Sequence, residues 1–192
     1  MEANEEQQPS DEQLAGKVQN GDVGAFDMLL QRYQAKILRY GNKFLLAPQD
    51  IEDVTQEIFL KVYRFIKSFD ASRKFSPWIY GIAHNEFINL GKKRKGEPVH
   101  FFDFDTFFPH PSSKESPEKD LDKKHMAELL ESYLNKIPAK YREPLVLYYL
   151  EDLSYSDIAD VLRIPVTTVG VRLNRAKARL KAEAANFKHN PL

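Results

Sequence analysis

The sequence predicts an all-α protein made of two small helical domains joined by a flexible linker, the second of them a helix-turn-helix domain. From Asp11 onward, apolar residues recur every three or four positions, and no segment alternates as a strand would. Four prolines interrupt this pattern between residues 96 and 122. Two short amphipathic segments joined by a tight turn then occupy residues 154–181. Together these observations predict the two domains and the linker.

Composition excludes several classes of protein. The chain has 192 residues, of which 42% are hydrophobic, enough for one domain or two small ones. No apolar run approaches the roughly 18 residues that span a bilayer, and the acidic N-terminus shows no secretory signal. The absence of cysteine excludes disulfides, thiolate metal sites and cysteine nucleophiles. We therefore expect a cytoplasmic protein that does not insert directly into a membrane.

Charge is segregated along the chain, although the formal net charge is zero. Residues 1–12 contain five acidic residues and no basic one, whereas residues 163–188 contain seven basic residues and one acidic residue. A polyanion responds to local charge within a Debye length of about 8–10 Å. The neutral total therefore does not argue against nucleic-acid binding.

The first domain is predicted over residues 11–95, after a polar tail at 1–10 that we expect to be disordered. Turn residues and Pro48 divide its first part into segments with helical periodicity. Three helices are predicted there: Asp11–Gln19, Asp22–Leu46 and Gln49–Ile66.

A fourth helix is predicted to open at Pro77, because proline is favoured in the first helical turn. One of its stripes is apolar and is interpreted as core: Ile79, Ala83, Phe87 and Leu90. The other stripe is unusual for a solvated surface: Trp78, Ile82, Asn85, Asn89 and Lys92. This second stripe suits a binding site, and the alternative is a half-packed tryptophan beside two solvated asparagines.

The linker, residues 96–122, is acidic and rich in proline, and residues 101–108 contain five phenylalanines. These rings are too many for an inert tether. We expect them either to dock on a partner or to pack back onto one of the domains.

The second domain is predicted over residues 123–186, followed by a tail at 187–192. Its first helix is predicted over Asp122–Ile137, and Pro138 is able to open the next. Pro144 costs about 3 kcal/mol inside a helix, so this second helix is expected to start near Pro144 or to kink there.

The helix-turn-helix follows. Ser154 and Asp157 predict a capping box, Pro165 ends the first helix, and Thr167 is expected to cap the second. The buried stripe of the second helix is predicted to be Val169, Leu173, Ala176 and Leu180. The opposite side is polar and basic, as in helices that enter the DNA major groove. The alternative is an ordinary helical pair with a solvated basic face.

Short motifs recur in one order along nearly the whole chain. The first domain contains Asp50-x-x-Asp53-x-x-Gln56-Glu57-x-Phe59, Ser68-Phe69-Asp70, Phe75-Ser76-Pro77-Trp78-Ile79-Tyr80 and Ile82-Ala83-His84-Asn85. The second contains Ile137-Pro138, Tyr141-Arg142, Leu153-Ser154-Tyr155-x-x-Ile158-Ala159, Ile164-Pro165-Val166 and Thr168-Val169. With these motifs the chain resembles bacterial sigma factors of the sigma-70 family, extracytoplasmic-function group.

The resemblance implies an alternative sigma factor that binds RNA polymerase core, recognises the −10 and −35 promoter elements, helps open the DNA and directs initiation at a stress or envelope regulon. The residues implied for binding the largest-subunit coiled coil are Asp53, Gln56, Glu57, Phe59 and Leu60. Those implied for the −10 element and melting are Phe69, Phe75, Trp78, Asn85, Asn89, Lys92, Lys93 and Arg94. Those implied for the −35 element are Thr167, Thr168, Gly170, Val171, Arg172, Asn174, Arg175 and Arg179.

The resemblance also implies further partners: the β flap of the polymerase, promoter DNA and an anti-sigma factor that could hold the protein at the membrane. No cofactor, metal or small-molecule substrate is expected. Gly170 and Val171 depart from the basic residue and serine that many relatives carry, so the −35 sequence of those relatives is not transferred. Val171 could meet a thymine methyl group instead, with arginines holding phosphates.

Two other classes of function would each explain part of the sequence. A stand-alone helix-turn-helix regulator explains residues 154–181 but leaves the stripe beginning at Trp78 without a purpose. An enzyme acting on nucleic acid would need a metal site, for which Asp50, Asp53 and Glu57 share a helical face. The five histidines are scattered, none at ligand spacing, and no phosphate loop or nucleophile motif is present.

Overall fold

The structure is a computed structural model that describes residues 8–44, 47–94, 133 and 137–189. Within them the α-helices are α1 (Asp11–Gln19), α2 (Val23–Asn42), α3 (Pro48–Phe65), α4 (Phe75–Arg94), α5 (Ala139–Tyr149), α6 (Tyr155–Leu162) and α7 (Val166–His189). A 3-10 turn, Ile66–Ser68, follows α3. These described residues contain no strand, which confirms the all-α prediction. None of their helices is long and apolar enough to cross a membrane.

The first two helices begin at side-chain caps. Ser10 accepts a hydrogen bond from the backbone N–H of Gln13, whose side chain in turn accepts from the Ser10 N–H, a complete capping box. Asp22 caps α2 by accepting from the Ala25 N–H at 3.1 Å. Gly21 makes the turn between the helices, where φ is +96° and a side chain would be strained.

The core of the first domain forms where α2, α3 and α4 meet. Gly41 sits at the closest approach, since a Cβ there would lie 2.6 Å from both Ile51 and Phe87. Tyr40 is buried nearby and meets the rings of Tyr80 and Phe87 edge-on. Edge-to-face pairs add stabilisation beyond the area that they bury.

The second domain differs from the prediction at two helix starts. Its helix α5 begins at Ala139 after Pro138 and continues through Pro144, so the expected start near Pro144 is wrong. Helix α7 begins at Val166, and the Val169 N–H bonds the Pro165 carbonyl at 3.1 Å. Thr167 therefore lies inside α7 and does not cap it.

Other predictions for this domain are confirmed. The capping box of Ser154 and Asp157 is present at the start of α6. After α6, Arg163 adopts the left-handed conformation with φ of +52°, which turns the chain toward α7. All four residues of the predicted stripe are fully buried: Val169, Leu173, Ala176 and Leu180. Helix α7 continues to His189, into the segment predicted as a tail.

The linker at 96–122 and most of the predicted helix Asp122–Ile137 lie outside the described residues. The two domains pack against each other through α6, which lies across α4. This contact explains why both stripes of α4 contain buried residues, including Ile79 and Ile82.

Candidate functional site

An apolar groove opens between α2 and α3. Its volume is about 430 Å³, and its lining is Phe26, Leu30, Gln34, Thr55, Gln56, Phe59, Leu60 and Tyr63. Leu60 is 71% exposed, so a large apolar side chain faces solvent at the edge of an apolar groove. The Tyr63 ring meets Phe26 edge-on at 5.0 Å and forms one wall.

This groove contains three of the five residues implied for polymerase binding, and the other two lie beside it. Gln56 and Leu60 are exposed on its rim, whereas Phe59 is buried and supports its floor. Asp53 and Glu57 are exposed on the same helix. An apolar centre with acids on its edge is complementary to a partner that presents apolar and basic side chains.

A second cavity, of about 590 Å³, lies at the start of α4 beside the segment that joins α3 to α4. Its lining combines that segment, α4 and α6: Ser68, Phe69, Asp70, Ser72, Arg73, Lys74, Pro77, Trp78, Asp157 and Asp160. Trp78 is partly exposed, as a base-stacking residue would be. Arg73 and Lys74 were not among the predicted site residues. Two consecutive basic side chains in this segment could have indicated them.

Phe69 and Phe75, two of the residues implied for the −10 element and melting, are buried. Phe69 packs against Phe75 at 5.5 Å and against Trp78 at 5.1 Å between ring centroids. The two phenylalanines therefore form the buried surface on which the Trp78 ring packs.

The remaining predicted −10 residues follow α4 toward its end. Asn85 is only 6% exposed in this arrangement of the domains. Asn89 and Lys92 are partly exposed, and Lys93 and Arg94 are exposed. Arg94 forms an ion pair with Asp50 at the start of α3.

The contact between the domains centres on Glu151, whose side chain is 1% exposed. Its carboxylate accepts two hydrogen bonds from the Arg39 guanidinium, at 3.0 and 3.1 Å, and one from the Tyr80 hydroxyl. Both partners belong to the first domain. Nearby, Lys74 forms an ion pair with Asp157 of α6 at 3.0 Å.

His84 and Glu143 also lie in this region, and both have shifted pKa values. Burial lowers the pKa of His84 to about 4, and the charge of Arg163 acts in the same direction. The His84 Nδ1 lies 3.1 Å from the Tyr40 hydroxyl. Burial raises the pKa of Glu143 to about 7, although Arg142 and Arg172 act in the opposite direction.

The helix-turn-helix presents one open face of α7. Its exposed predicted residues are Thr167, Val171, Asn174, Arg175 and Arg179, whereas Thr168, Gly170 and Arg172 are partly exposed. The Arg179 guanidinium lies 5.1 Å from the centre of the Tyr141 ring, which restrains it by a cation–π contact. No group of acidic or histidine side chains among the described residues could hold a metal ion.

Comparison with known proteins defines the class. Residues 29–97 match the family model of Sigma-70 region 2, and residues 127–180 match that of Sigma-70, region 4. These matched ranges contain most of the groove lining, the α4 surface and most of the helix-turn-helix.

Relatives cover nearly the whole chain. The RNA polymerase sigma-H factor of Pseudomonas aeruginosa is 35% identical over 176 residues, 88% of this chain and 91% of that protein. The extracytoplasmic-function sigma factor SigW of Bacillus subtilis is 31% identical, over 87% of this chain and 92% of its own length. The chain therefore belongs to the extracytoplasmic-function group of the sigma-70 family.

A solved structure shares the fold. The structure of CnrH in complex with the cytosolic domain of CnrY matches 93% of this chain and 99% of that chain, with a TM-score of 0.68 and 24% identity. The protein is an alternative sigma factor, a transcription initiation factor that works with RNA polymerase at promoter DNA. The stand-alone regulator is not favoured, because region 2 is present beside region 4.

Proposed function

We propose that three surfaces of this protein have different roles in transcription initiation. The groove between α2 and α3 binds the coiled coil of the largest polymerase subunit, the start of α4 opens and reads the −10 element, and α7 reads the −35 duplex. The observation that carries the proposal is the groove, because Leu60 and Tyr63 are large apolar side chains left open to solvent. Burial of an apolar centre is the main source of affinity at such interfaces.

The −10 assignment rests on chemistry at the start of α4. A base that leaves the stack needs a ring to pack on and an amide that both donates and accepts hydrogen bonds. Trp78 offers the ring, and Asn85 and Asn89 offer amides on the same helix. Lys92, Lys93 and Arg94 would hold phosphates and contribute salt-dependent affinity.

The −35 assignment rests on the open face of α7. Val171 is 49% exposed and could contact a thymine methyl group, while Arg172, Arg175 and Arg179 would hold phosphates. We further propose that the β flap contacts the second domain, that an anti-sigma factor restrains the protein in the cytoplasm or at the membrane, and that its targets are stress or envelope genes. Membership of the group supports these proposals.

The test is reconstitution with sigma-free bacterial core polymerase and a pool of genomic promoter fragments. We expect specific start sites that appear only with this protein, with shared −10 and −35 sequences upstream. Duplex binding by the protein alone, without core binding or transcription, would instead support the stand-alone regulator.

The Asn85→Ala variant tests the −10 assignment on the promoters so obtained. It is expected to lower open-complex formation about 10-fold while core binding stays within about 2-fold of wild type, since the amide is used only on DNA. The control is Gln31→Ala, an exposed amide on α2 outside the groove. Loss of core binding by Asn85→Ala would show that the −10 site is misplaced.

A further inference from the structure

We propose that α1, which carries none of the DNA- or polymerase-binding residues, positions the −10 site through Gln19 and Glu12. These two side chains hold opposite ends of one segment, residues 66–75, that leads into Trp78. The proposal rests on the proposed −10 role of that segment and of α4.

Gln19 holds the first end of the segment. Its side-chain Nε2 donates to the carbonyl of Ile66 at 2.8 Å and to that of Phe69 at 2.6 Å. The Ile66 carbonyl also accepts from the Phe69 N–H at 3.1 Å within the 3-10 turn. A partly buried carbonyl that is left without a hydrogen bond costs about 1–3 kcal/mol. One amide therefore fixes both the 3-10 turn after α3 and the residue at which the open segment begins.

Glu12 holds the second end. Its carboxylate accepts a hydrogen bond at 3.0 Å from the backbone N–H of Phe75, the first residue of α4. Burial raises the pKa of Glu12, but hydrogen bonds from the Phe75 and Glu12 N–H groups and from the Ser10 hydroxyl bring it below its ordinary value. A carboxylate in this position also interacts favourably with the positive end of the helix dipole.

The helix that carries both side chains is itself fixed. Asp11 accepts hydrogen bonds at 2.6 Å from the Arg32 guanidinium and from the Tyr33 hydroxyl, both on α2. The buried face of α1 consists of Leu14, Ala15 and Val18. The segment 66–75 is therefore held from the body of the domain and not only by its own turns.

The arrangement has a consequence for DNA opening. Phe69 and Phe75, at the two held positions, are the rings on which Trp78 packs. A segment held at both ends has less conformational entropy to lose when it engages unpaired bases. Without the Gln19 hydrogen bonds, the domain keeps its groove for the polymerase but presents Trp78 less uniformly to the DNA.

The experiment uses the full chain with sigma-free core polymerase and promoter fragments recovered from the genomic pool. Gln19→Met keeps the length of the side chain and removes its donor, and Gln31→Met on the exposed face of α2 is the matched control. For Glu12 the pair is Glu12→Ala and Glu12→Gln, because glutamine retains an acceptor oxygen for the Phe75 N–H.

Three quantities are measured: core affinity by competition, permanganate reactivity of −10 thymines, and transcription from the same promoter with its −10 bases already unpaired. Gln19→Met is expected to lower opening of the duplex promoter about 10-fold, to leave core affinity within about 2-fold, and to recover most transcription on the pre-opened template. Glu12→Ala is expected to act in the same direction, with Glu12→Gln restoring most of the loss.

Hydrogen exchange of the free variants supplies a readout that does not need the promoter. Exchange is expected to quicken in peptides covering residues 66–78 and to remain unchanged in α2 and α3. Wild-type opening and exchange by Gln19→Met would overturn the proposal. The proposal would also be overturned if transcription fell equally on the duplex and pre-opened templates and core binding weakened. In that case α1 would have only a structural role. Failure of the proposed function itself would be distinct, because the wild-type protein would then direct no transcription.

Discussion

Two faces of the first domain use the same helical periodicity and have opposite environments. The outer face of α3 is open, with Leu60 projecting into solvent beside an apolar groove. The corresponding face of α4 is covered, because α6 packs across it and Ile82 and Asn85 are buried. If the proposed sites are right, the surface for polymerase binding is already formed, whereas contact of Asn85 with a base requires that the covered face be exposed.

The largest expected effect comes from the open face. Leu60→Asp places a charge in the centre of the groove and is expected to weaken core binding at least about 100-fold. The free energy of unfolding should change little because Leu60 is already exposed. Competition binding to core polymerase measures the first quantity and urea unfolding the second. Val171→Asp, an exposed apolar residue of α7, is the control and should bind core as wild type does.

The covered face is tested next through Glu151. Glu151→Ala removes the acceptor shared by Arg39 and Tyr80 and is expected to lower the free energy of unfolding by about 2 kcal/mol. The domains should also separate more readily, with faster hydrogen exchange in α4 and α6. The exposed Glu52→Ala on α3 serves as the control. Unchanged exchange in both helices would show that Glu151 does not hold the contact.

The buried charge at this contact predicts a dependence on pH. Glu143 has a folded-state pKa of about 7, above its ordinary 4.5, so its contribution to stability is fully present below pH 4.5 and is lost as the pH rises through 7. Glu143→Gln, which stays neutral, is expected to raise the free energy of unfolding at pH 8 by about 2 kcal/mol and to change it little at pH 4.5. Urea unfolding at both pH values checks this.

His84 predicts a change of stability with pH in the opposite direction. Its folded-state pKa of about 4 lies below its ordinary 6.5, so its contribution is present above pH 6.5 and is lost as the pH falls through 4. Between pH 4.5 and 6.5 the two groups oppose each other in the wild type. His84→Gln should therefore flatten the fall in stability between pH 6.5 and 4 that is seen in the Glu143→Gln background. A double variant as steep as Glu143→Gln would contradict this.

The smallest effect is expected at Gly170, an open position, which contrasts with the crowded position of Gly41. At Gly170 a Cβ would meet the Tyr155 ring at 3.7 Å, an ordinary contact, so Gly170→Ala is expected to stabilise the helix by about 0.5–1 kcal/mol. At Gly41 a Cβ would lie 2.6 Å from Ile51 and Phe87, so Gly41→Ala should destabilise the domain. Thermal unfolding of the two variants measures whether each substitution raises or lowers stability. Both would raise it if helix propensity were the only effect.

Much of the local structure could be predicted from the sequence. The capping box at Ser154 and Asp157, the start of α1 at Asp11 and the buried stripe of α7 are confirmed, because each depends on residues within one or two turns of a helix. The predicted start of α7 was wrong: the N–H groups of Thr168 and Val169 donate to the Pro165 carbonyl, so the helix begins at Val166, before Thr167.

The sequence by itself determined the helical class, the sigma factor family and the amphipathic face of each recognition helix, since periodicity and short motifs are written in consecutive residues. The tertiary structure alone decided which surfaces are open. Glu151 meets Arg39 and Tyr80 across 112 and 71 positions of the chain, and Gln19 meets Phe69 across 50. Such contacts depend on how helices pack, and helical periodicity is the same whether a stripe faces solvent, its own core or a second domain.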